Sequence, residues 1–479
     1  MEKISVIKTC FMLLTILLAS CSTDRMINEE VGDSASGLVE FSDHENSILG
    51  KISKPNMIGL DVAMDNVKSL NRINATRSED NDIQEVGVLT KNMLGSIPDS
   101  ISTVLPDTLA YVLYSESNGI FTIASADNRV ESSVLAIIEN GNILIDEDSE
   151  ERQTILDTLV DYIYWGIRNY ESEKESVMQD ILQKINSTSI VAATRAQDNQ
   201  GYTEDDLLII DYEVGDWYLT DHVNEMLKVD WGYDEPYNEY VKYKAGCSNA
   251  PTGCVATAVA MIASYWRYPK SVGGMTLNWD LMTSTRSVPL QVNHLSDMAK
   301  QVAKLMQVIG EESNMNYGCD ESGTDIVNGK NWLINHGYTG GNETGYNFST
   351  AISSLKNGSP ILMGGFDTKH SSIFSTSYSG GHAWVVDGYA VNERKRRRQV
   401  FVKKDKKTGQ QVLLTDNYYT EKYRSLHNNW GFDGVYNGWF PEGCFDIHSK
   451  SRTQNITRSG VEGNYQYKNS MFVNLKHVN

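Results

Sequence analysis

AGCSNAPTGCVATAVAMIASYWRYP, residues 245–269, decides how the rest of the chain is read. Thr252-Gly253 stand where a helix can begin, and Val255-Ala256-Thr257-Ala258-Val259-Ala260-Met261-Ile262 follow. That run is Ala-rich and apolar nearly all round, which predicts a buried helix. Cys254 falls in its first turn, where orphan N–H groups and the helix dipole favour an anion, so its thiol is expected to ionise readily. Cys247 lies in the loop before it, with no helix terminus beneath. A cysteine at a buried helix start is more often packing than chemistry, so Cys254 needs a partner before it counts.

Two later stretches supply candidates. Gly380-Gly381-His382-Ala383-Trp384-Val385-Val386-Asp387 puts His382 at the head of a strand-like run, after two glycines that let another backbone or a substrate approach. A general base would sit there. In His427-Asn428-Asn429-Trp430-Gly431-Phe432-Asp433-Gly434, an amide precedes a large aromatic and a Gly-rich turn. The Asn429 amide is expected to accept from one ring nitrogen of His382 and fix its tautomer, while Trp430 excludes water from that bond.

The blocks PTGCVATA with SYWRYP, GGHAWVVDGY and NNWGFDGVYNGWF together resemble the streptopain family of papain-like cysteine peptidases, over roughly residue 216 to the C-terminus. Upstream, YVLYSESNGIFTIASADNRVESSVLAII is similar to that family's inhibitory propeptide domain. The resemblance implies an α+β fold: a papain-like catalytic domain, helical part plus antiparallel sheet, preceded by a small α+β propeptide domain. It implies Cys254 as nucleophile, His382 as general base and later acid, Asn429 as the group orienting His382, and Trp430 packed beside it. It implies no metal and no cofactor, protein or peptide substrates with a hydrophobic residue two positions before the scissile bond, and the chain's own propeptide as intramolecular inhibitor. One block departs from the family. Where its members usually carry a glutamine in Trp-x-Gln-Gly-x-Pro-Tyr-Asn, Trp231-Gly232-Tyr233-Asp234-Glu235-Pro236-Tyr237-Asn238 has Tyr233, a candidate oxyanion donor of longer reach.

The chain of 479 residues has room for two domains. Its 42 Lys+Arg against 62 Asp+Glu argue against a nucleic-acid or anionic-membrane binder. The first 21 residues read as a signal too short to span a bilayer. Leu18-Ala19-Ser20-Cys21 resembles a lipobox, which makes Cys21 the lipidation site and the lipid the only membrane attachment. The expected location is the outer membrane or surface of a Gram-negative bacterium, with release after processing left open. With Cys10 removed and Cys21 used for lipid, Cys247, Cys254, Cys319 and Cys444 remain, too scattered for a disulfide framework or a zinc set. One reactive thiol and some buried ones are expected.

Expected boundaries follow: 1–21 signal peptide, 22–40 tether, 41–190 propeptide domain, 191–206 linker with the maturation site, and 207–479 peptidase domain. Residues 57–70 carry a weak helical pattern, 109–143 the alternation of a β-meander, 154–170 and 296–308 helical spacing. Strand-like runs lie at 360–366, 382–389, 411–414 and 438–440. Residues 393–409 hold nine basic against two acidic residues and predict an exposed hairpin with its charges in water, or a docking patch for an acidic partner. The leading expectation is a secreted, lipid-anchored cysteine endopeptidase made as a zymogen. The alternative is a weakened or inactive papain-like surface protein that binds a host or bacterial protein.

Overall fold

Alternation through residues 108–138 produces three antiparallel strands, and they join a sheet that continues into the C-terminal half. In the computed structural model, the described residues are 39–52, 54–74, 83–94, 99–144, 149–187, 201–241, 247–291, 295–371, 376–403, 410–444 and 467–477. The signal sequence with Cys10 and Cys21, most of the tether, linker residues 191–200 and residues 404–409 of the basic stretch lie outside them. No helix among the described residues is long and apolar enough to cross a membrane.

The N-terminal segment holds helices α1 (Asp43–Ile52) and α2 (Leu60–Asn74) and strands β1 (Ile83–Thr90), β2 (Thr108–Ser115), β3 (Ile120–Ser125) and β4 (Val134–Ile138). Helix α3 (Glu150–Ser187) follows, longer at both ends than its 154–170 pattern predicts. Its continuation buries Val177, Met178, Ile181 and Ile185, a second apolar stripe at helical spacing under α1. Then come β5 (Leu207–Glu213) and β6 (Tyr218–Val223), at the start of the expected peptidase domain, for which the sequence reading named no strand.

The C-terminal half contributes α4 (Cys254–Trp266), α5 (Asp297–Glu312), α6 (Ile326–Asn335) and α7 (Phe348–Lys356). Its strands are β7 (Asn342–Gly345), β8 (Ile361–Ser371), β9 (Thr376–Val402), β10 (Val412–Asn429), β11 (Gly438–Pro441) and β12 (Tyr467–Val473). One twelve-stranded sheet runs in the order β1-β2-β3-β4-β11-β10-β9-β8-β12-β7, with β5 and β6 on β9. The junction is β4 on β11, where Ile138 faces Gly438 and Ile137 faces Trp439. A Cβ on Gly438 would come within 2.1 Å of the Ile137 carbonyl oxygen, so this approach requires glycine.

Packing repeats the junction. One apolar cluster joins Leu156, Leu159 and Ile163 of α3 to Trp384, Trp430 and Phe440 from the C-terminal strands. A second surrounds α4, whose residues Val255 to Ser264 are all buried. Each buried aliphatic side chain contributes about 1.5–3 kcal/mol, so both clusters resist separation. The α+β arrangement expected from the sequence is present: a helical layer beginning at Cys254 against an antiparallel sheet carrying His382.

Two expectations need correction. Cys247 and Cys319 form a disulfide, with Cα atoms 5.7 Å apart, and half-exposed Cys254 and buried Cys444 are the described cysteines outside it. Their sequence separation of 72 concealed the pairing. The two arms of the basic stretch pair as antiparallel strands, but three of its arginines are not left to water. Strand alternation buries Arg394, Arg396 and Arg398. Arg394 donates to Glu421 at 2.7 Å and Glu213 at 3.0 Å, Arg396 to Glu421 at 3.1 Å, and Arg398 to Asp211 at 2.5 Å.

Candidate active site

Gly253 precedes α4 at φ 86°, in the left-handed region that favours glycine, and a Cβ there would sit 2.7 Å from Ser322 O and 2.8 Å from Met315 Sδ. Only glycine turns the chain into α4 against the 315–322 loop, and that loop is pinned beside it by Cys247–Cys319. Cys254 is therefore the first residue of a helix whose body is buried. The Thr252 hydroxyl is 3.1 Å from that of Thr257 rather than capping the helix.

The Trp231–Tyr233 segment is laced to this helix start. Thr252 N donates to Tyr233 O at 2.8 Å, and Thr257 Oγ1 to Gly232 O at 3.3 Å. From the other side, a Cβ on Gly431 would lie 3.2 Å from the Thr257 methyl. Tyr233, Cys254 and the Trp430–Phe432 turn thus converge on the first turn of α4.

His382 is a buried residue of β9, opposite Gly365 of β8. Its Nε2 is 2.9 Å from the Trp430 carbonyl oxygen. A carbonyl only accepts, so Nε2 carries the proton and Nδ1 is left as the basic nitrogen of the neutral ring. Phe432 lies 4.9 Å from the imidazole and Trp384 6.0 Å, centroid to centroid. Burial lowers its pKa to about 4, against the opposing pull of the Trp430 carbonyl and the Glu151 charge.

Asn429 sits elsewhere in this constellation than expected. Its Nδ2 donates to Val229 O at 2.9 Å and Asp230 Oδ1 at 3.0 Å, and its Oδ1 receives Gly431 N at 3.4 Å. Asn437 donates to the same Asp230 oxygen at 3.1 Å while accepting Trp430 N at 2.9 Å. Asp230 is held in turn by the Arg286 guanidinium, at 2.9 Å for Nη2. The amide thus fixes the turn whose backbone carbonyl, from Trp430, meets the imidazole. Trp430 is fully buried, with Trp384 5.2 Å away.

Tyr233 is half-buried, its ring edge-on to Phe432 at 6.2 Å, and its hydroxyl donates to the carboxylate of Glu151 in the first turn of α3. Sequence reading missed Glu151 and Asp230. Neither has a local motif, and both matter through partners 82 and 199 residues away.

The model of the peptidase C10 family matches residues 231–440. Among solved structures, the chain is similar to a fragment of Prevotella intermedia prointerpain A, with 18% identity and a TM-score of 0.41, covering 77% of this chain and 95% of that one. It is also similar to the active interpain A cysteine protease of Prevotella intermedia, with 22% identity and a TM-score of 0.34, covering 54% of this chain and 95% of that one. None of the curated proteins matches. Residues 231–440, with Cys254 at the helix start and His382 on the sheet, form a domain of the peptidase C10, or streptopain, family.

Proposed function

We propose that the chain is the zymogen of a cysteine endopeptidase that is exported, anchored through Cys21 in the outer membrane or at the cell surface, and matured by cleavage between the N-terminal segment and β5. The Cys254 sulfur attacks the scissile carbonyl carbon. His382 Nδ1 takes the thiol proton and returns it to the departing amine, and water then hydrolyses the thioester with the same imidazole as base. The oxyanion is held by the backbone N–H of Cys254, and by Tyr233 once its hydroxyl is released. Such a donor is worth roughly 2.7–4 kcal/mol.

The observation that carries the zymogen reading is Glu151. A carboxylate from α3 takes the Tyr233 hydroxyl beside His382, while β4 seals the same segment onto the peptidase sheet. This supports an N-terminal segment that occupies the cleft until it is cut away. Purified precursor should convert to a shorter form whose new N-terminus falls within 191–206 and which cleaves a protein substrate. Cys254→Ala precursor should stay intact. Conversion of both alike would reject self-processing. Loss of fatty-acid labelling in Cys21→Ser checks the anchor.

A second reading, a papain-like surface protein of weak or no activity that binds a host or bacterial protein, is favoured by Tyr233 standing at the glutamine's place. Slow iodoacetamide labelling of Cys254 in the processed form would support it, and rapid labelling would reject it.

A further inference from the structure

His427 lies in β10, between Gly388 of β9 and Trp439 of β11. Its side chain is 1% exposed, and its Nδ1 donates to Asp387 Oδ1 at 2.6 Å. A carboxylate on Nδ1 keeps the proton there and makes Nε2 the ligand nitrogen of the neutral ring. Among the described residues Nε2 has no hydrogen-bond partner, although Glu139 Oε1 lies 3.4 Å from it. Glu225 brings a second carboxylate, and Nε2 and one oxygen of each glutamate lie within 4.8 Å of one another. Among the described residues, this is the one group of His, Cys, Asp and Glu with that geometry.

Charge favours a cation here. Asp387, Glu139 and Glu225 set three carboxylates around one imidazole, and the Arg286 guanidinium that acts on both glutamates is committed to Asp230. A protonated ring supplies one positive charge, whereas a divalent ion supplies two and takes the ring neutral. The outer contacts are built as well. Asp387 Oδ2 accepts Leu227 N at 2.8 Å and its carbonyl accepts Met226 N at 3.1 Å, so the residue that orients the imidazole also fixes the loop carrying Glu225. Glu139 is placed by its own N–H donating to Asn437 O at 2.9 Å, next to the pairing of β4 with β11.

We propose that His427 Nε2, Glu139 and Glu225 form a site for a divalent first-row cation such as Zn2+, which would tie the end of β4 to the peptidase domain. One imidazole, two carboxylates and a fourth position open to water at exposed Glu225 make a common zinc donor set. A tetrahedron with bonds of ~2.0 Å spaces its donors at ~3.3 Å, so the donors must draw in from their present spacing of up to 4.8 Å, and exposed Glu225 is the one at the surface. The site lies outside the Cys254–His382 chemistry and does not depend on the zymogen reading.

The test uses full-length Cys254→Ala chain, stripped with a chelator and titrated with Zn2+ by calorimetry and elemental analysis. One Zn2+ per chain is expected, with a thermal midpoint that rises with Zn2+ concentration. Glu225→Gln and Glu139→Gln should each weaken binding at least tenfold. Asp387→Asn should weaken it by roughly 10–100-fold, and Glu321→Gln, at an exposed position outside the cluster, should leave it unchanged. Absence of saturable uptake, or equal affinity in both glutamine variants and the parent, would overturn the proposal even if His427→Gln fails to fold.

Discussion

The hydroxyl of Tyr233 donates to the carboxylate of Glu151, joining the first turn of α3 to the segment that lines the start of the Cys254 helix. A hydrogen bond to a charged group is worth about 1.5–3 kcal/mol. If it helps hold the cleft closed, Glu151→Ala in the precursor should raise the rate of maturation by about 10–100-fold, read as disappearance of precursor on a gel at fixed concentration. Tyr233→Phe should accelerate opening similarly, although it also removes a candidate oxyanion donor. The double variant should show less than the sum, because both changes delete one bond. An unchanged rate in Glu151→Ala would make that glutamate a bystander.

Burial holds His382 near pKa 4, well below the 6.5 of an exposed imidazole, so between those values the unfolded chain binds the proton and the folded one does not. Stability therefore falls as pH falls through that window, by roughly 3 kcal/mol in all. Urea unfolding of Cys254→Ala precursor from pH 7 to pH 4 should show this decline, and His382→Gln should flatten it. A decline of the same size in His382→Gln would assign the pH dependence to other groups.

Much of this site was legible because its parts are local patterns. The Ala-rich run after Cys254 predicted a buried helix, whereas the glycines before His382 suggested a strand head and the strand in fact starts earlier, at Thr376. What stayed hidden depends on partners far along the chain. The imidazole's partner is a backbone carbonyl, and every residue has one, so Asn429 with its side-chain amide was the natural but different expectation. The arginines of β9 read as solvated because Asp211, Glu213 and Glu421, which neutralise them, lie on other strands. Helix α3 outran its predicted end because the polar run at 171–176 interrupts the apolar stripe without breaking the helix.

Asn429 acts on the imidazole through the Trp430 turn rather than by direct contact. Asn429→Ala should lower kcat of the mature enzyme by about 10–100-fold with little change in KM, since a shift of about 1 Å at the base has that order of cost. Asp230→Asn should give the same kind of loss, and the two together should be clearly less than multiplicative because they share one network. A KM effect alone, or full additivity, would mean that the amide does not work through Asp230.

The Cys247–Cys319 disulfide ties the segment entering α4 to the 315–322 loop that closes over Gly253. Cross-linking a loop of this length removes chain entropy from the unfolded state and typically stabilises by about 2–4 kcal/mol. Cys247→Ser with Cys319→Ser should therefore unfold at clearly lower urea concentration than the parent, measured in a Cys254→Ala background so that no processing intervenes. Reductant strong enough to open the bond should move the parent to the same midpoint and leave the double serine variant unmoved. If the parent and the double variant unfold together under oxidising conditions, the bond contributes nothing to stability and Gly253 alone sets the entry to the helix.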